Sequence, residues 1–146
     1  MTIRKMTVAD AKAVGELSGQ LGYPMPESLV LERIASVVDR DEHAAFVAVI
    51  DDGVVGWIHV YVSHIIESPN AYVEIGGLVV EEKFRGQGVG KALVSAGENW
   101  TLLSGFDDIR LRSASKRTEA HAFYEKLGYQ MVKTQMRFTK KLAGEK

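Results

Sequence analysis

Apolar positions in this chain follow two rhythms, one of period two and one near 3.6, and the switches between them lay out its elements. Residues 2–6 read as a short first strand. Thr7 with Asp10 three positions on opens a helix, the carboxylate sitting at its positive end, and Ala11, Val14, Leu17 and Leu21 mark one apolar face. Gly22 ends that helix and Tyr23-Pro24-Met25-Pro26 makes the connection. A second helix runs to about Asp39 with Val30, Ile34 and Val37 inward. Residues 44–50 and 54–62 are β-rich runs around Asp51-Asp52-Gly53, a hairpin signal.

Residues 71–80 read as the central strand. The helix after it repeats apolar residues at Val89, Leu93, Ala96, Trp100 and Leu103, a stripe that should pack on a sheet. Residues 108–112 form the next strand, a helix through Tyr124 follows, and residues 129–142 supply one or two closing strands. No linker, repeat or low-complexity segment interrupts residues 1–146, which read as one domain.

The junction between the central strand and its helix carries the chemistry. Arg85-Gly86-Gln87-Gly88-Val89-Gly90-Lys91 is a glycine-rich turn that aims successive backbone amides at one spot, and a helix's unpaired first-turn amides favour a phosphate. Spacing decides which phosphate carrier fits. A Walker loop needs glycine and a hydroxyl residue where Arg85 and Ala92 stand. A dinucleotide fingerprint needs its third glycine where Lys91 stands. Both readings fail. Gly76-Gly77 within the central strand weakens a strand unless the backbone does something unusual there, and a bulge is the expected reason.

Arg85-x-x-Gly88-x-Gly90 between strand and helix resembles the acetyl-CoA motif of the GNAT N-acetyltransferase superfamily. Arg117-Thr118-Glu119-Ala120-His121-Ala122-Phe123-Tyr124-Glu125-Lys126-Leu127-Gly128-Tyr129 resembles the helix that closes such domains, and the predicted elements keep the family's order from Met1 to Leu142. The resemblance implies an α/β (α+β) domain with a mixed, mostly antiparallel sheet of about six or seven strands flanked by about four helices. It implies a bulge that splays the central strand from its neighbour. Leu78, Val79 and Val80 would then meet the pantetheine arm of acetyl-CoA, with Arg85, Gly86, Gln87, Gly88, Val89, Gly90, Lys91 and Arg117 completing the cofactor contacts. It places Tyr124 near the cofactor sulfur as proton donor, since a phenol of pKa about 10 can protonate a thiolate.

Glu74 is the leading general base, standing in an apolar strand on the nominal face of Gly76, Leu78 and Val80. A bulge would break that alternation. His59, His64 and His121 are alternatives. The freed Val80 amide is a candidate for the oxyanion. No metal is expected, because His59, His64 and Glu67 have no recognisable ligand spacing. The acceptor site is expected where residues 23–26 and 64–70 meet the acetyl end of the groove, with Glu27, Asp39, Glu67 and Glu74 able to draw a cation. Residues 136–142 and 74–80 resemble those of bacterial members acting on small primary amines, including aminoglycosides and aminoalkylphosphonates.

A net charge of −1 with 25% charged residues gives no sequence-wide field for nucleic acid or an anionic membrane. The absence of cysteine removes disulfides and a cysteine nucleophile, so transfer should be direct. With no long apolar run, a cytoplasmic enzyme is expected, and a homodimer stays open. A small-molecule amine is the preferred acceptor; a protein lysine or N-terminus, or a non-catalytic acetyl-CoA sensor, are the alternatives.

Overall fold

The computed structural model describes residues 1–143, in two compact units, residues 1–112 and residues from 113 on. In the first, β1 (Thr2–Lys5), β2 (His43–Ile50), β3 (Gly53–Ser63), β4 (Tyr72–Val80) and β5 (Ile109–Leu111) form one sheet in sequence order. The first four strands are antiparallel, and β5 joins β4 in parallel.

A parallel return needs a crossover, which α3 (Val89–Leu103) provides. It lies close on one sheet face. A Cβ on Gly97 would stand 3.1 Å from Val60 Cγ1, and one on Gly56 would stand 3.0 Å from Leu93 Cδ1, so small residues on both partners permit the approach. Ile58, Val60, Val73, Val89, Leu93 and Val94 are all buried.

The other face is covered by α1 (Ala11–Gln20) and α2 (Glu27–Val37). Ala11, Val14, Val30 and Ile34 share a cluster there with Ala45 and Val47, against which Trp57 also packs. The entry to α1 is fixed as the sequence predicts: the Thr7 backbone N–H donates to Asp10 Oδ2 (2.8 Å), and Arg4 clamps the same carboxylate at 2.8 and 2.9 Å. The β2–β3 hairpin turns on Asp51 (φ 50°) and Asp52 (φ 64°), the two left-handed positions of a type I′ turn.

In the second unit α4 (Thr118–Lys126) ends at Gly128, whose φ of 95° lets the Gly128 and Tyr129 amides donate back to the Glu125 and Tyr124 carbonyls. The closing strands expected over 129–142 do not form among the described residues, and the sheet therefore has five strands. Met131, Val132, Met136, Phe138 and Leu142 are instead exposed. A strand exists only through a paired neighbour, and β-type residues cannot supply one by themselves.

Candidate functional site

The central feature is a change of partner along β4. On one side β4 pairs with β3 through to Val80, but on the other its parallel ladder with β5 covers only Val73–Ile75. From Gly76 onward no strand among the described residues pairs with the outer edge of β4, leaving ladder groups available to an extended ligand. The opening begins at a bulge. His59 pairs with Gly77 and Val60 with Ile75, so Gly76 is the extra residue.

That bulge corrects the facing read from the sequence. Glu74 does not share a face with Leu78 and Val80; it pairs with Tyr61, and thus lies on the face of His59, Gly77 and Val79. One inserted residue reverses a period-two pattern. Both glycines are needed for the rings on that face: a Cβ at Gly77 would lie 2.7 Å from the Trp57 ring, and one at Gly76 would lie 3.0 Å from Tyr61 Cε1 and 3.1 Å from His59 Nδ1.

The face carries a polar cluster. Glu74 is buried, with Oε2 3.4 Å from Arg112 Nε. Arg110 stacks on Tyr72 at 3.8 Å from the ring centroid. Burial, then the Glu74 charge, push the Tyr61 phenol above its ordinary pKa. His59 Nε2 and His43 Nδ1 lie 3.0 Å apart. Burial, with His43 adding to it, pushes His59 down to about 4, and His43 is lowered as well, chiefly by burial. Both imidazoles are therefore neutral at pH 7.

At its C-terminal end β4 leads into the predicted cradle. A 3₁₀ turn (Glu82–Phe84) is followed by Gly86 (φ 78°) and Gly88 (φ 86°), the latter preceding α3 directly. Two left-handed residues in three lead into α3, whose first-turn amides have no partner within the helix, the combination that anion binding uses. Arg85, Gln87 and Lys91 are exposed beside them. The C-terminal end of α1 reaches this turn, since the Glu82 N–H donates to Gln20 Oε1 (3.2 Å).

Tyr124 belongs to the second unit, half-buried, with ring contacts to Phe123 (5.1 Å) and Tyr129 (5.8 Å). Burial raises its pKa, and the nearby Arg117 charge partly offsets this. Arg117 is exposed just before α4. His121 donates from Nε2 to the Ala114 carbonyl (2.9 Å), which makes it a local strut.

His64 lies beyond the end of β3, exposed and 2.9 Å from Glu42, whereas His59 is at the bulge. Residues 24–25 border a cleft with Lys12, Gly15, Glu16, Gly19 and Glu27. Glu27, Asp39 and Glu67 are exposed and stand on separate elements from the buried Glu74. Among the described residues no three His, Cys, Asp or Glu side chains gather as a metal site, and no helix is long and apolar enough to cross a membrane.

Sequence reasoning missed His43, Tyr61 and Arg112. The available signal was His59-x-Tyr61, two polar aromatics on one face of a strand in a predicted hairpin, whose partner strand must place something opposite them.

Comparison with known proteins bears on the family and the fold. The sequence profile described as "Acetyltransferase (GNAT) family" matches residues 14–129. An aminoglycoside N(6')-acetyltransferase type 1 of Stenotrophomonas maltophilia is 34% identical over 136 residues, covering 88% of this chain and 86% of the relative. An aminoalkylphosphonate N-acetyltransferase of Salmonella typhimurium is 32% identical over 108 residues, 74% of this chain and 68% of the relative. Among solved structures, aminoglycoside N-acetyltransferase AAC(6')-Iy in complex with CoA superposes with a TM-score of 0.85 at 21% identity, covering 95% of this chain and 93% of that one.

Proposed function

The chain belongs to the acetyltransferase (GNAT) family, and from that premise we propose that it moves the acetyl group of acetyl-CoA directly to a primary amine of a small molecule. The observation that carries this reading is the outer edge of β4, open from Gly76 and running straight into the left-handed glycines before α3. A long donor with amides at one end and a pyrophosphate at the other matches that sequence of groups. Leu78, Val79 and Val80 offer ladder groups to the pantetheine amides. The turn from Arg85 to Lys91 takes the pyrophosphate mainly through backbone amides, with Arg85, Lys91 and Arg117 adding charge.

The thioester then lies toward the bulge, where the Val80–Gly76 edge begins. Glu74, buried on the acceptor face, supplies the negative charge that draws the ammonium group of an amine, and lies where a proton can be taken up. Tyr124 protonates the departing thiolate; its raised pKa keeps the phenol a donor across neutral pH. The absence of cysteine fits transfer without an acyl-enzyme. Small amines are favoured because the relatives quoted above act on aminoglycosides and aminoalkylphosphonates. The family match spans both compact units, which supports reading residues 1–146 as one catalytic domain.

The test is CoA thiol release from acetyl-CoA against a panel of aminoglycosides, aminoalkylphosphonates, polyamines and lysine peptides. Saturable turnover with a small amine is expected. Turnover with peptides alone would make the chain a protein acetyltransferase, and binding of acetyl-CoA without turnover would make it a sensor.

A further inference from the structure

His59 sits between two different neighbours. On one side its Nε2 faces His43 Nδ1 at 3.0 Å, the two ring planes within 8° of each other. On the other its Nδ1 faces the bulge, 3.1 Å from where a Cβ on Gly76 would stand, a position that this glycine leaves empty. Gly76 is exposed, and it is where the open edge of β4 starts. The nitrogen aimed at the bulge is thus on the acceptor side of the place where the acetyl end of the donor is read to lie.

Two ring nitrogens that face one another at 3.0 Å share one proton. Two arrangements satisfy the pair. In one, His59 Nε2–H donates to His43 Nδ1, and both rings are Nε2–H tautomers, the more stable form of a free neutral imidazole side chain. In the other, both rings must be Nδ1–H tautomers. The first arrangement leaves a bare lone pair on His59 Nδ1, directed at the bulge.

We propose that His59 is the catalytic base that deprotonates the acceptor ammonium at the Gly76 bulge, and that His43 is its positioning residue, holding it in the Nε2–H tautomer. The proposal rests on the acetyltransferase reading above and deepens it by dividing labour: Glu74 draws the ammonium cation, and His59 removes its proton. The ammonium proton passes to His59 Nδ1, and the freed nitrogen lone pair attacks the thioester carbonyl carbon. A C–N bond forms, the C–S bond breaks, and its electron pair leaves on sulfur. The second N–H proton, lost as the amide forms, balances the one the thiolate gains. The imidazolium is steadied by Nε2–H donating to His43, and gives its proton to water once product leaves.

The charged and titratable surroundings are Arg40 and Glu42 beside His43, Tyr61 across both rings, and Tyr72, Glu74 and Arg112 farther along the face. Burial keeps His59 unprotonated at pH 7, so the lone pair is available.

Nitrogen-15 NMR of the imidazole rings in the free protein tests the geometry without turnover. The expected result is an Nε2–H tautomer for His59, becoming a mixture of tautomers in His43→Phe, which keeps a stacked ring and removes the acceptor. Kinetics test the role. His59→Gln should lower kcat/KM about a hundredfold or more and remove the acidic limb of the pH–rate profile, with acetyl-CoA affinity unchanged. His43→Phe should lower kcat about tenfold with KM little changed. Should His59→Gln fail to fold, His59→Asn and the wild-type tautomer still decide. An Nδ1–H tautomer for His59 in the wild type, or wild-type rate and pH limb in the folded variant, overturns the proposal and leaves the acetyltransferase reading intact. Absence of turnover by the wild type with every amine overturns both.

Discussion

Tyr61 stands opposite Glu74 in the β3–β4 ladder because Gly76 is one residue too many for β4. Without that insertion Tyr61 would face Ile75, and the carboxylate would turn to the α3 side of the sheet. The same insertion coincides with the end of the β5 ladder, so a single bulge both opens the donor edge and brings the Glu74 carboxylate onto the face that carries the His59 and His43 imidazoles.

The glycine pair is thus a packing requirement as well as a backbone one. Gly77→Ala would place a Cβ 2.7 Å from the Trp57 ring, itself part of the core under α1 and α2. Overpacking of this kind costs about 1–3 kcal/mol. Urea denaturation should show a lower midpoint at unchanged slope.

The cradle responds through backbone strain. A Cβ on Gly88 would meet nothing within 4 Å, but its φ of 86° is a conformation that side chains resist. Gly88→Val should therefore weaken acetyl-CoA binding at least about tenfold, or about 1.4 kcal/mol, as the turn relaxes away from the pyrophosphate. Titration calorimetry on the folded variant reads this directly. Unchanged affinity would remove the turn from the donor site.

Removing the Tyr124 hydroxyl keeps its edge contacts with Phe123 and Tyr129. Tyr124→Phe should lower kcat about a hundredfold while acetyl-CoA affinity and stability hold. Equal turnover would assign thiolate protonation to water.

Asp10 gives the fold a pH dependence. The Arg4 hydrogen bond, and then the Thr7 amide, hold its carboxyl below the ordinary range, against an opposing effect of burial. A carboxylate depressed in the folded state stabilises above its unfolded pKa of about 3.9, and that contribution disappears as pH falls through the lower folded value. Asp10→Asn should cost about 1–2 kcal/mol at pH 7 and show a shallower loss of stability below pH 4 in thermal melts.

The fold's legibility follows from the same register effects. The apolar stripe from Val89 to Leu103 and the Asp51-Asp52 turn identified α3 and the β2–β3 hairpin because each is a local pattern. Facing across strands was not local. Counting back from the turn pairs His43 with Val60, yet a second irregularity between Ala48 and Val49 moves it opposite Tyr61 and onto the acceptor face. Cradle residues were readable because glycine chemistry marks them, whereas His43 was invisible until the irregularity at Ala48/Val49 was placed.

Glu74 and His59 separate by their kinetic signatures. If the carboxylate draws the cation and the imidazole takes the proton, Glu74→Gln should raise KM for the amine about tenfold or more and retain the acidic limb. Loss of that limb in Glu74→Gln, with KM unchanged, would return the proton-accepting role to Glu74.

Direct transfer from acetyl-CoA to a small amine is most sharply tested by initial rates with both substrates varied, using the best amine of the panel. A cysteine-free chain with donor and acceptor meeting at one bulge predicts intersecting double-reciprocal lines, and no CoA release until amine is added. Parallel lines, with a burst of CoA thiol in the absence of amine, would contradict it.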